Sequence, residues 1–79
     1  MAMFVFIRKV MENDHYADYT FGESDDSLGN LRFDKITGEA TLLEAALGDD
    51  NFHRYNRAAL KLAKCWQTGS LPDETCWAS

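Results

Sequence analysis

The sequence predicts an α+β fold, in which a four-stranded antiparallel meander has one face covered by a single C-terminal helix. Four short runs rich in β-branched, aromatic and alternating apolar residues precede position 46, and polar turn residues separate them. Residues 51–68 instead carry apolar side chains at helical spacing. A chain of 79 residues can build one two-layer core, so we expect a single small domain over residues 1–79.

The first two predicted strands form a hairpin. The four predicted strands cover residues 3–10, 15–21, 28–34 and 39–45. A two-residue turn at positions 13–14 would place Phe6 opposite Phe21, and Lys9 opposite Asp18. Phe6 would then face the core. The register matters because a shift of one residue turns every side chain of the strand to the other face.

The clearest turn signal is the run Asp34-Lys-Ile-Thr-Gly-Glu39, between the third and fourth strands. Asp34 can open a short loop, and Gly38 can adopt the positive φ that closes it. The pairs that this turn implies on the core side are Phe33 with Ala40 and Leu31 with Leu42.

The predicted helix, residues 51–68, has one apolar and one cationic face. Its N-terminus is expected to be capped by Asp49, Asp50 or Asn51, and Gly69 is expected to end it. The apolar stripe expected to face the sheet consists of Phe52, Tyr55, Ala59, Leu62, Ala63 and Trp66.

The remaining tail is predicted to fold back on the core through Leu71 and Trp77. The apolar run at residues 3–7 is too short for a signal peptide, and the basic pair follows it rather than preceding it. No apolar run is long enough to span a membrane. Cys65 and Cys76 do not form a disulfide scaffold, so we expect a cytoplasmic protein with reduced thiols, although a bond between the two stays open.

The net charge of −5 hides an uneven distribution along the chain. Residues 11–50 hold eleven acids against Arg32 and Lys35, a net charge of −9, whereas residues 51–68 hold four cations and no acid. An acidic chain repels phosphate at long range, which argues against binding to nucleic acid or to an anionic membrane.

Catalytic and metal-binding patterns are not found in the sequence. The histidines and cysteines do not have zinc-ligand spacing, and His53 lies about 18 Å from Cys65 along one helix. We therefore expect no catalytic residue, no cofactor and no metal site. An enzymatic or small-molecule-binding domain would instead need a pocket between sheet and helix lined by Tyr19, Tyr55 and His53.

The first candidate surface for a protein partner is acidic. Several carboxylates cluster in the loops, where their charge could steer a basic protein into contact. They are Glu23, Asp25, Asp26, Asp49 and Asp50. On this hypothesis the chain is a small non-enzymatic protein-interaction domain.

The second candidate surface is the sheet face opposite the helix. In the predicted register Val5, Ile7 and Tyr16 lie there and form an apolar patch, as interfaces do. With the edge of the first strand, this patch would support self-association or partner binding. If the register is shifted by one residue, these side chains belong to the core instead.

The basic helix face gives the alternative hypothesis, a nucleic-acid-associated or regulatory module. It consists of Arg54, Arg57, Lys61 and Lys64. The acidic remainder of the chain offers these cations partners of its own, and the stripe contains no aromatic residue on which bases could stack. An ordinary solvated helix face is the simpler interpretation.

Overall fold

A computed structural model of the protein describes residues 4–49 and 51–78. Within these ranges the elements are β1 Phe4–Glu12, β2 Tyr16–Gly22, β3 Gly29–Asp34, β4 Ala40–Glu44, α1 His53–Gln67 and β5 Glu74–Ala78. The strands form one antiparallel sheet in the order β4-β3-β2-β1-β5, and α1 packs on one face of it. The predicted α+β class is therefore confirmed, with five strands in place of four.

The tail supplies the additional strand. β5 pairs with β1 in an antiparallel register that sets Val5 opposite Trp77. Leu71 and Trp77 pack against the core as predicted. The Tyr19 hydroxyl donates a hydrogen bond to the Pro72 carbonyl at 2.6 Å and so fixes the segment leading into β5. The prediction that β1 has an open edge is therefore wrong, because β5 covers it.

The β1–β2 register differs from the prediction by one residue. Ile7, not Phe6, lies opposite Phe21, and a bulge follows Lys9. The Asn13 side-chain oxygen accepts hydrogen bonds from the backbone N–H groups of His15 and Tyr16. This places the reversal one residue later than predicted, which alone would move every pairing by two residues. The bulge takes back one of them, so the shift beyond Lys9 is one residue.

The shift exchanges the two faces of β1. Val5 and Ile7 are 0% and 1% exposed and belong to the core, so their predicted place on an exposed patch is wrong. Val10 lies outside instead, 64% exposed. Tyr16 is half-buried on the outer face, where the Arg32 guanidinium carbon lies 3.9 Å from the centre of its ring.

The β3–β4 turn forms as predicted. Phe33 pairs with Ala40, and the Asp34 N–H donates to the Glu39 carbonyl at 2.8 Å. Gly38 has a φ of +77°, and a Cβ at this position would come within 2.5 Å of Trp66. Gly38 therefore provides both the turn conformation and the space for the Trp66 ring.

The helix buries a narrower stripe than the sequence pattern indicates. Ala58 and Leu62 are fully buried, whereas Tyr55 and Trp66 are half-buried at its sides. Phe52 precedes the helix and is 46% exposed, so its predicted place in the stripe is wrong. Thr68 is the C-cap of α1, and the following glycine has the expected positive φ.

Candidate functional site

The end of the sheet where α1 begins brings together two stretches of the chain that are distant in sequence. The first is the β2–β3 loop, residues 23–28, and the second runs from the end of β4 through residues 45–49 and 51–52 to α1. Gly29, which follows the loop, lies against the second stretch, because a Cβ there would lie 2.8 Å from the Glu44 carbonyl and 2.7 Å from the Ala46 nitrogen. Only a glycine lets β3 approach the segment after β4 this closely.

Asp49 fixes the start of α1. Its carboxylate oxygens accept the backbone N–H groups of Arg54 and Tyr55 at 3.0 and 3.1 Å. Two of the helix's otherwise unpaired N–H groups are thereby satisfied, and the negative charge suits the helix N-terminus. Asp49 is only 6% exposed. It caps the helix, as one of the predicted alternatives, but it is not part of the exposed acidic surface that the sequence suggested; Asp50 lies outside the described residues.

Arg54 ties the β2–β3 loop to this helix start. Its Nε atom lies 3.1 Å from a Glu23 carboxylate oxygen, and its Nη1 donates to the Leu47 carbonyl at 3.4 Å. The Nε–carboxylate contact is an ion pair without good hydrogen-bond alignment. Arg54 thus acts within the fold, rather than as part of an open cationic face.

Large apolar side chains are exposed on these same segments. Leu43 is 50% exposed in the bulge of β4, and Leu47 and Phe52 are 77% and 46% exposed. Phe52 has a φ of 58° and a ψ of 26°, a left-handed conformation that costs a bulky residue about 1–2 kcal/mol. The Phe52 N–H donates to the Asp49 carbonyl at 3.1 Å and holds this conformation.

The acidic β2–β3 loop is joined to the segment before α1 through Arg54, which contacts both Glu23 and the Leu47 carbonyl. Asp25 and Asp26 are exposed, and Glu23 is the member that pairs with Arg54. We call the exposed residues Asp25, Asp26, Leu43, Leu47 and Phe52 the helix-start surface. It consists of apolar groups with an acidic margin, on a scaffold fixed by Asp49, Arg54 and Gly29.

The rest of the basic helix face contacts the tail. The Arg57 guanidinium carbon and the Lys64 Nζ lie 5.3 and 5.8 Å from the centre of the Trp77 ring. Lys61 is half-buried on the same side of α1. Three of the four predicted basic residues are therefore in contact with Glu23 or Trp77, so the face is partly used by the fold itself.

The opposite end of the sheet carries an ion cluster centred on Glu12. Its carboxylate pairs with Lys9 and, at 2.6 Å, with Lys35. Hydrogen bonds from Lys35 and Lys9 lower the pKa of Glu12. Burial would lower the pKa of Lys9, but its hydrogen bonds to Glu12 and Asp73 outweigh that effect and raise it.

A surface cavity of about 390 Å³ adjoins this cluster and is lined by Glu12, Lys35, Trp66, Gly69, Ser70 and Leu71. The Trp66 indole N–H donates to the Lys35 carbonyl at 3.0 Å. The Lys35 ammonium is already bound by the Glu12 carboxylate and by the Asn13 carbonyl at 2.8 Å. The two charged side chains that line the cavity, Glu12 and Lys35, therefore pair with each other.

The residues considered for chemistry in the sequence are dispersed. Tyr19 is fully buried, and burial raises the pKa values of both Tyr19 and Tyr55. His53 is exposed at the start of α1, so these three side chains do not line one pocket. Across residues 4–49 and 51–78, no three His, Cys, Asp or Glu side chains are grouped to hold a metal ion. Cys65 and Cys76 are free thiols.

The sequence matches no protein-family model, and comparisons with curated proteins and with solved structures gave no match. Among the described residues, α1 falls short of the length and apolarity that a membrane-crossing helix needs.

Leu43, Leu47 and Phe52 are site residues that sequence reasoning missed. Leu47 and Phe52 flank the polar run Gly48-Asp-Asp-Asn51, between the last predicted strand and the helix. Large apolar residues beside a polar run lie outside the strands and the helix body that bury such side chains. Their position next to this run could have identified Leu47 and Phe52 as exposed. Leu43 directly follows Leu42, which packs on the core, so the alternation along the predicted fourth strand already indicated that its side chain lies on the other face.

Proposed function

We propose that this protein is a non-enzymatic protein-interaction domain, which binds a basic protein partner through the helix-start surface. The observation that carries the proposal is the conformation of Phe52. A bulky residue in left-handed backbone geometry with 46% of its surface exposed gains little from the fold that constrains it. Local strain maintained by surrounding contacts is typical of binding sites.

The scaffold around Phe52 supports this proposal. The Asp49 carboxylate accepts hydrogen bonds from the backbone N–H groups of Arg54 and Tyr55, and the Arg54 side chain donates to the Leu47 carbonyl. A surface that is already ordered loses less conformational entropy when a partner binds. Exposed leucine and phenylalanine side chains can then fill pockets on the partner, as the apolar anchors of an interface do.

The charge of the surface supports a basic partner. Asp25 and Asp26 are exposed in the same loop as Glu23, the ion-pair partner of Arg54, and the chain as a whole carries −5. Complementary charge raises the association rate and excludes acidic competitors. The apolar groups provide contact area, whereas the carboxylates provide steering and orientation.

A selection of random displayed peptides against the immobilised domain tests this function. We expect enrichment of peptides that combine lysine or arginine with large apolar residues. Leu47→Glu should reduce binding of the enriched peptides by about tenfold or more, because it places a charge in the apolar contact. Ile36→Glu is the matched control, since Ile36 is 69% exposed at the opposite end of the sheet.

The control variant should bind the enriched peptides like the wild type. Asp25→Asn with Asp26→Asn should slow association, and the slowing should disappear at high salt. The proposal fails if no basic peptides are enriched, or if Leu47→Glu and Ile36→Glu have the same effect.

A further inference from the structure

The open edge of the sheet at β5 follows from the pairing of β5 with β1. The Lys9 N–H donates to the Asp73 carbonyl at 2.7 Å. Backbone groups of successive residues in an antiparallel strand point to opposite sides, so Ile7 also directs its N–H and C=O groups toward β5. Ile7 and its partner Thr75 therefore form a hydrogen-bonded pair.

The same alternation determines which backbone N–H and C=O groups of β5 point to its outer side. Glu74, Cys76 and Ala78 direct their N–H and C=O groups away from β1, toward the open edge. The side chains of Thr75 and Trp77 lie on the helix side of the sheet, because Trp77 contacts α1 cations. The backbone of an added strand could therefore form hydrogen bonds with β5 in the plane of the sheet. Its side chains on one face would lie toward α1.

The β5 edge is more regular than the β4 edge. β5 pairs with β1 over five consecutive residues without a bulge, whereas β4 bulges at Leu43. A bulge twists a strand and interrupts its hydrogen-bonding pattern, which discourages further pairing. Strand addition is therefore favoured at β5.

Two cationic side chains of α1 lie close to the β5 edge. Arg57 and Lys64 lie over the Trp77 ring, at 5.3 and 5.8 Å from its centre. None of the ion pairs formed within residues 4–49 and 51–78 includes Arg57, Lys61 or Lys64. The indole Nε1 of Trp77 is buried without a hydrogen-bond partner in those same residues. The α1 cations beside β5 therefore lack a carboxylate partner, and the Trp77 indole N–H lacks an acceptor, among the described residues.

We infer that the β5 edge accepts an extended acidic peptide segment by strand addition. Its backbone pairs with Glu74, Cys76 and Ala78, and its carboxylates on the helix side meet Arg57, Lys61 and Lys64. Charge argues against a second copy of this chain as the occupant. Two copies paired through β5 would bring both sets of α1 cations to one side of the joined sheet, where they repel.

The probe for this site is a seven-residue peptide that alternates valine and glutamate and is blocked at both ends. In a Trp66→Phe background Trp77 is the only tryptophan of the chain, so its emission reports on the β5 edge. We expect a saturable change in emission that weakens as salt is raised. The same peptide with lysine in place of glutamate should cause no change.

Two variants separate strand addition from general charge attraction. Cys76→Pro removes an edge N–H that does not pair with β1, and proline is tolerated at such positions. It should abolish binding, whereas Cys76→Val should retain it. Arg57→Glu with Lys64→Glu should weaken the glutamate peptide about tenfold or more and favour the lysine peptide.

Unchanged Trp77 emission up to millimolar glutamate peptide would overturn the inference, as would equal binding by folded Cys76→Pro and Cys76→Val. If circular dichroism shows that Cys76→Pro has lost its sheet, the charge-reversed variant decides alone, and unchanged peptide preference rejects the inference. Leu47→Glu leaves this edge intact and should not affect the peptide. The result is therefore independent of the proposed function of the helix-start surface.

Discussion

The Asp49 carboxylate accepts the backbone N–H of Arg54 at 3.0 Å, although Asp49 lies four residues before α1 begins. The residue directly before the helix, Phe52, makes no side-chain cap. Asp49 therefore performs two tasks at once. It satisfies the helix N-terminus, and it closes the loop that displays Leu47 and Phe52.

Asp49→Ala should lower the free energy of unfolding by about 1–2 kcal/mol, because it leaves two helix N–H groups without their partner. Urea unfolding followed by circular dichroism measures this loss. Asp25→Ala is the control, since Asp25 is exposed, and it should change stability by less than about 0.5 kcal/mol. Equal stability of Asp49→Ala and the wild type would show that the cap is not formed in solution.

The left-handed conformation of Phe52 gives a second prediction. Phe52→Gly and Phe52→Ala remove the same ring, but only alanine keeps the Cβ that disfavours a φ of 58°. The glycine variant should therefore be more stable than the alanine variant by about 1 kcal/mol. Both variants should bind the selected basic peptides more weakly than the wild type. An alanine variant as stable as the glycine variant would argue against the left-handed conformation.

Gly38 and Gly69 both have positive φ, but their surroundings differ. A Cβ on Gly38 would lie 2.5 Å from Trp66, whereas a Cβ on Gly69 has no atom within 4 Å. Gly38→Ala should cost about 2–4 kcal/mol from backbone strain plus overpacking, and Gly69→Ala about 1–2 kcal/mol from strain alone. Thermal unfolding of the two variants measures the difference. Equal losses would mean that Trp66 does not pack on the turn.

The ion pairs of Glu12 predict how the free energy of unfolding depends on pH. Hydrogen bonds from Lys35 and Lys9 hold its folded pKa below the ordinary value of 4.5. Its contribution is therefore fully present above that value and is lost as the pH falls through the lower folded pKa. The pair is partly exposed, so we expect about 1 kcal/mol or less at neutral pH.

Comparison of Glu12→Gln with the wild type between pH 7 and pH 2 tests this prediction. The stability difference should shrink as the pH falls below about 4.5, because the wild-type carboxylate becomes protonated. Glu39→Gln is the control, because Glu39 is exposed and forms none of the ion pairs found among the described residues, and its stability difference from the wild type should be small at every pH. A difference that is constant with pH would show that the ion cluster is not formed.

The parts of the fold that could be predicted from the sequence depend on local chemistry. The turn at Asp34–Glu39 formed as expected because a side-chain acceptor and a glycine act within six residues. The β1 faces were predicted wrongly because a bulge after Lys9 has no local sequence signal. β5 was missed because its pairing with Val5 and Ile7 joins the two ends of the chain.

The candidate site likewise contains residues whose exposure could be predicted from the sequence and residues for which it could not. Asp25 and Asp26 are exposed as expected, because a loop without apolar residues lies on the surface. Asp49 is also an acidic loop residue, yet it is buried, because its carboxylate reaches N–H groups five and six residues further along the chain. Composition cannot separate these two roles, since both depend on where the loop turns.

Binding of a basic peptide at the helix-start surface can be located residue by residue in the ¹H–¹⁵N NMR spectrum of the domain, titrated with the strongest basic peptide from the selection. We predict that chemical-shift changes centre on residues 23–27 and 43–52, which carry the helix-start surface. They should be absent when the titration is repeated with Leu47→Glu and present with Ile36→Glu. Shift changes centred on β5 or on the outer face of the sheet, with residues 43–52 unaffected, would show that the basic peptide does not bind at the helix-start surface.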